Sequence, residues 1–101
     1  MMKTITVVQG MVPADRQADF AALYAELKKA PATEGMISST LQRKAGFPVL
    51  HRIETVWASR EALDRMRAGK EPPKAPLIFH MVGASSSLEI FEVVEEVIPE
   101  G

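Results

Sequence analysis

IETVWASREALDRM, residues 53–66, changes period at its centre. Up to Trp57, apolar and polar side chains alternate as in a strand; from Ser59 onward Ala62, Leu63 and Met66 recur at helical spacing. The chain's single tryptophan therefore sits where a strand turns into a helix. That junction fixes the middle of the fold, and the other segments can be placed outward from it.

Upstream, residues 49–57 (VLHRIETVW) and residues 37–43 (ISSTLQR) flank KAGFP, whose Gly46 and Pro48 punctuate a hairpin, so these two strands pair antiparallel. Residues 31–36 (PATEGM) form a connecting loop. Before it, ADRQADFAALYAELKKA carries Phe20, Leu23, Tyr24 and Leu27 at i, i+3, i+4 and i+7, with Asp15 early and Lys28 and Lys29 late, matching the helix dipole. Residues 4–12 (TITVVQGMV) are rich in β-branched side chains and end at Pro13, which cannot donate to a ladder, and so read as the first strand. Downstream, Ser59 caps a helix running to about Ala68, closed by Gly69. KEPPKAP holds three of the seven prolines and is expected to be irregular. Pro76 opens a short final helix ending near Gly83, residues 87–94 (SLEIFEVV) form the last strand, and EEVIPEG is a frayed or partner-clasping tail.

The order strand, helix, strand, strand, helix, strand is the split βαβ arrangement. It is an α+β, ferredoxin-like βαββαβ fold with one antiparallel four-stranded sheet carrying its helices on one face. A chain of 101 residues fits one such domain, spanning 1–101. Alternation gives each strand two faces. Ile5, Val7, Met11, Ile37, Leu41, Val49, Ile53, Trp57, Leu88, Ile90 and Val94 are assigned to the helix side. Val8, Val12, Leu50, Val56, Phe91 and Val93 are left opposite, among polar residues such as Thr4, Thr6, Arg52 and Glu54. Leaving six large apolar side chains in water forfeits several kcal/mol at about 25 cal/mol per Å², comparable to a domain's whole stability. The expectation is a homodimer whose two sheets face each other.

Composition removes several functions. Twelve basic and thirteen acidic residues are spread along the chain for a net charge of −1, without the basic stripe that phosphate backbones require, which argues against nucleic acid. There is no cysteine, so thiolate catalysis and cysteine-ligated metals are excluded. MMKTITVVQGMV is too short and mixed for a signal peptide or a spanning helix, giving the expectation of a soluble cytoplasmic protein with no membrane partner. Neither AGF nor MVGASSS has the glycine spacing of a phosphate loop, and the serines of ASSS lack a readable base partner.

A strand ending in E-x-V-W and followed by Ala-Ser-Arg-Glu-Ala-Leu resembles the signature of the antibiotic biosynthesis monooxygenase domain, through Glu54, Trp57, Glu61, Ala62 and Leu63. Pro13 with the helix carrying Phe20, and the Glu34-Gly35-Met36 turn, are similar to that family's layout. The resemblance implies a dimeric α/β barrel and, for some members, oxidation of quinol- or phenol-type aromatics by O₂ without metal or flavin. In many relatives the helix after the tryptophan carries a histidine about nine residues on; here Met66 stands there, and the proline-rich segment that follows is unusually long.

Under that resemblance His51 and His80 are the candidate bases, since imidazole titrates near neutrality and could deprotonate a phenol. The plainer reading of His51 is a histidine bonded to a backbone carbonyl or reaching solvent at the sheet edge. Trp57 is the candidate stacking wall and N–H donor for a flat aromatic ligand, or a core anchor at the strand–helix corner; the two are compatible. Gln9, Tyr24, Thr55 and Met66 complete the expected substrate pocket, with packing the plainer role of Tyr24 and Met66. Two histidines without ligand spacing or a nearby acid give no metal site. A haem-degrading relative would use His80 as its axial ligand, but the strand-one asparagine and later-helix tryptophan of such relatives are met here by Val8 or Gln9 and by Met66. A dimeric binding or stress-response protein without turnover is the alternative from another class.

Overall fold

The computed structural model describes residues 2–100. Strands β1 (Thr4–Met11), β2 (Met36–Arg43), β3 (Leu50–Trp57) and β4 (Ser86–Glu92) form one antiparallel sheet in the order β2-β3-β1-β4. Helices α1 (Gln17–Lys29), α2 (Arg60–Arg67) and α3 (Lys74–Met81) lie against it, and a short 3₁₀ turn at Ala14–Arg16 leads into α1. The expected α+β, ferredoxin-like order is present, with the β2–β3 hairpin paired as read from its turn.

α1 and α3 pack on one another over a core of Val8, Val12, Phe20, Ile53, Phe79 and Val82, in which the Phe20 and Phe79 rings meet at 4.6 Å between centroids. Gly10 makes this approach possible: a Cβ there would sit 3.0 Å from the Phe79 ring and collide with the carbonyl oxygen of Ser85. At the other end of the sheet α2 has β3 as its principal neighbour and buries Ala62 and Leu63 beside Trp57. Its start is set by Ser59, whose Oγ accepts the Ala62 N–H at 3.2 Å. The turn before β2 is tied to the same corner, where Gly35 has φ of +84° and its carbonyl accepts the Ala58 N–H at 2.8 Å. A side chain at Gly35 would strike the Ala62 methyl, so glycine is required there by both conformation and space.

Two sequence expectations are corrected. In β1 the faces are reversed: Thr4, Thr6, Val8 and Val12 point under the helices, while Ile5, Val7 and Met11 lie on the opposite side. β1 is apolar at both parities, and the deciding contacts are tertiary, namely the Phe79 approach to Gly10 and the Trp57 indole bonded to Thr6. The second correction is at KEPPKAP. α3 begins at Lys74 rather than Pro76, capped by Pro73, with Pro76 as its third residue. A proline is tolerated there because the first turn's N–H groups have no helical partner to lose.

The opposite face of the sheet still carries Ile5, Val7, Leu50, Val56 and Phe91, and no helix among the described residues covers it. Phe91 is 49% exposed and Met11 51%. Beyond β4 the chain runs without regular structure, and Val97 and Ile98 are almost bare. No helix among the described residues is long and apolar enough to cross a membrane.

Candidate functional site

Between the α1–α3 end of the sheet and the α2 corner lies a cavity of about 770 Å³. Its floor is the helix side of the sheet at Thr6, Val8, Ser39, Ile53 and Thr55; Trp57, Leu63 and Met66 wall it on one side, and Tyr24 and Leu27 of α1 on the other. The loops at residues 30–33 and 69–73 close over the remaining edge. The cavity exists because α2 stops at Arg67 and Pro72-Pro73 delay the next helix, so no helical side chain fills the gap between α1 and α2.

Trp57 is 3% exposed, and its indole N–H donates to Thr6 Oγ1 at 3.1 Å. Its N–H is thus spent on the protein, and the ring's contribution to the cavity is an apolar wall. Of the expected pocket residues, Trp57, Tyr24, Thr55 and Met66 do come together around this space. Apart from Thr6, whose hydroxyl is engaged by the Trp57 indole, the polar groups of the floor gather with Tyr24 of α1 in one spot of three hydroxyls. Tyr24 donates to Ser39 Oγ at 3.1 Å and Thr55 donates to the same oxygen at 3.3 Å. A serine hydroxyl has two lone pairs and one proton, so Ser39 with both lone pairs occupied keeps its own O–H to offer a ligand acceptor.

The other expected residues lie elsewhere. His51 and Gln9 sit on a separate, smaller cleft of about 420 Å³ with Gln42, Arg43 and Arg52. His51 shares the helix side with Ile53 and Trp57 but lies six residues along β3 from Trp57, a separation of about 20 Å in an extended strand. There it is buried edge-on to Phe20 at 5.6 Å between ring centroids, with Nδ1 3.4 Å from the Val49 carbonyl oxygen. This is the plainer of its two sequence readings. Gln9 falls on the open face as a consequence of the β1 reversal. His80 is exposed on α3 and does not line the cavity; Ile78 and Phe79 are the α3 residues that turn inward. No group of three metal-ligating side chains occurs among the described residues.

Sequence reasoning missed Ser39 and Thr6. Ser39 was recoverable: the hairpin register places it opposite Thr55, on the strand face that carries Leu41. Thr6 carried no such signal, because its side of β1 was settled only by packing.

No family model matches the chain, and no curated protein matches it either. Solved structures do. A candidate antibiotic biosynthesis monooxygenase from Deinococcus radiodurans superposes with a TM-score of 0.78 at 14% identity, covering 97% of this chain and 99% of that one. A single-site mutant of SnoaB, a cofactor-independent oxygenase from Streptomyces nogalater, gives 0.72 at 19% identity over 97% and 98% of the two chains. The heme-degrading protein Rv3592 from Mycobacterium tuberculosis gives 0.73 at 24% identity over the same shares. Over nearly its whole length, then, the chain has the fold of the antibiotic biosynthesis monooxygenase-like proteins.

Proposed function

We propose that the protein holds a flat aromatic of the phenol or quinol class in the cavity and, without metal or flavin, lets it react with O₂. The observation that carries this reading is the cavity itself, an apolar space of about 770 Å³ with an indole wall and a single hydroxyl cluster. In that space Trp57 and Met66 face the rings, the Ser39 O–H binds the phenolic oxygen and favours its ionised form, and the apolar walls exclude water. The substrate supplies the electrons. For a ring methylene beside the phenol, CH₂ and O₂ give C=O and H₂O, one oxygen entering the product and the other leaving as water. The phenolic proton leaves through the mouth to solvent, since neither His51 nor His80 reaches the cavity.

That last point favours a second reading, a binding protein without turnover. Oxygen uptake with a panel of hydroquinones and anthrone-like phenols separates the two. Uptake that falls at least tenfold in Ser39→Ala and in Trp57→Phe supports the enzyme, whereas quenching of Trp57 fluorescence with no oxygen consumed supports the binder. Haem is not favoured, because the one histidine suited to an axial role, His80, lies outside the cavity.

The same proposal includes a homodimer formed through the uncovered sheet face, supported by Ile5, Val56, Met11 and Phe91 on that face and by the bare apolar tail at Val97 and Ile98. Sedimentation at micromolar concentration tests it; a stable, well-folded single chain would rule the dimer out.

A further inference from the structure

The rim of the cavity carries Lys28, Arg65, Arg67, Lys70 and Lys74 against one acid, Glu71. In a chain whose formal net charge is −1, five of the twelve basic residues converge on one opening. All five are exposed, and none is in an ion pair among the described residues; Arg43, Lys44 and Arg52 on the smaller cleft are likewise unpaired, whereas Lys3, Arg16, Lys29 and Arg60 each pair with a carboxylate. Helix ends explain part of the pattern. Lys28 closes α1 and Arg65 and Arg67 close α2, where the dipole favours cations. Lys74 has no such reason: it opens α3, the end at which a positive charge is disfavoured, and Lys70 belongs to no helix. A cluster of like charges around a low-dielectric opening repels itself unless something anionic sits there, and it focuses its field into the opening.

We infer that the cavity takes an anionic aromatic: a flat ring system seated against Trp57 and the Ser39 hydroxyl, with a carboxylate or sulfonate directed outward and held by Arg65, Lys70 and Lys74 at the mouth. This rests on the binding reading above and narrows its ligand to one charge class. The guanidinium of Arg65 offers the anion paired N–H donors, and the two ammonium groups add charge on flexible stems.

The test uses two probes with the same rings, 8-anilinonaphthalene-1-sulfonate and neutral N-phenyl-1-naphthylamine, each titrated by its quenching of Trp57 emission. At low ionic strength the sulfonate binds roughly tenfold more tightly than the neutral probe, as expected for a few exposed charge contacts acting together. The preference fades toward 1 M salt as screening sets in. It disappears in the combined Arg65→Gln, Lys70→Gln, Lys74→Gln variant, where the neutral probe binds as before. Neutralising Lys3, Lys29 and Arg60, which lie outside the cavity lining, leaves it intact. Equal affinity of the two probes in the unmodified protein overturns the collar while leaving the cavity reading standing. A preference lost equally in both triple variants also overturns it, by assigning the effect to net charge. Quenching by neither probe sinks the cavity reading itself. Decanoate competing as well as naphthoate would overturn the aromatic part of the assignment.

Discussion

At the end of the sheet marked by Phe20, Phe79 and His51, α1 and α3 close on each other and on Val8 and Val12, and the space left there is the smaller cleft beside His51. At the end marked by Trp57, the eight-residue α2 buries only Ala62 and Leu63 against β3, and the cavity opens beside it. Both ends set an aromatic ring on the helix side of β3, His51 at one and Trp57 at the other. What separates them is helix supply. An eight-residue helix is about 12 Å long, and the prolines that follow delay α3, whose first residues Lys74, Ala75 and Pro76 only edge the cavity. The packed end holds the fold together, and the open end is where a ligand fits.

That contrast predicts unequal costs for similar cuts. Phe79→Ala, at the centre of the packed end and fully buried, should cost about 3–5 kcal/mol in urea unfolding, a large share of the roughly 5–15 kcal/mol stability of a domain this size. Met66→Ala, which only enlarges a space that already exists, should cost less than about 1 kcal/mol while weakening ligand binding, because its side chain is half-buried and no tight shell collapses around it. If the two variants lost equal stability, the division of the face into a packed and an open end would fail.

The β2–β3 hairpin, the strand–helix junction at Trp57 and the amphipathic stripe of α1 were legible because each is a local pattern: a turn, a change of period, an i, i+3, i+4 repeat. The side of β1 was not, since TITVVQGMV is apolar at both parities and only contacts with Phe79 and Trp57 choose between them. For the site, parity puts Trp57, Thr55 and His51 on one face, yet parity says nothing about distance along the strand. His51 and Trp57 share a face and not a pocket. The rim cations were invisible for a related reason: they come from α1, α2, α3 and the segment between the last two, and their convergence is a property of the fold alone.

Two threonines on one strand sharpen the account of the open end. Thr6→Val removes the acceptor of the Trp57 indole N–H and leaves a buried donor unpaired, so it should cost about 1–3 kcal/mol and shift the Trp57 emission maximum.

Thr4, two residues earlier on the same face and paired across the ladder with Trp57, is 1% exposed, and its hydroxyl has no hydrogen-bond partner among the described residues. Replacing it with valine trades an unsatisfied buried hydroxyl for a methyl of similar size, so Thr4→Val should leave stability unchanged or raise it by up to about 1 kcal/mol, with Trp57 emission unmoved. The pair of variants therefore differs in sign at positions a sequence reader would treat alike. Equal destabilisation by both would mean that Thr4 bonds to a group its surroundings do not reveal, whereas a Thr6→Val variant with unchanged stability and Trp57 emission would mean that the indole's tether at Thr6 is not what holds the cavity wall in place.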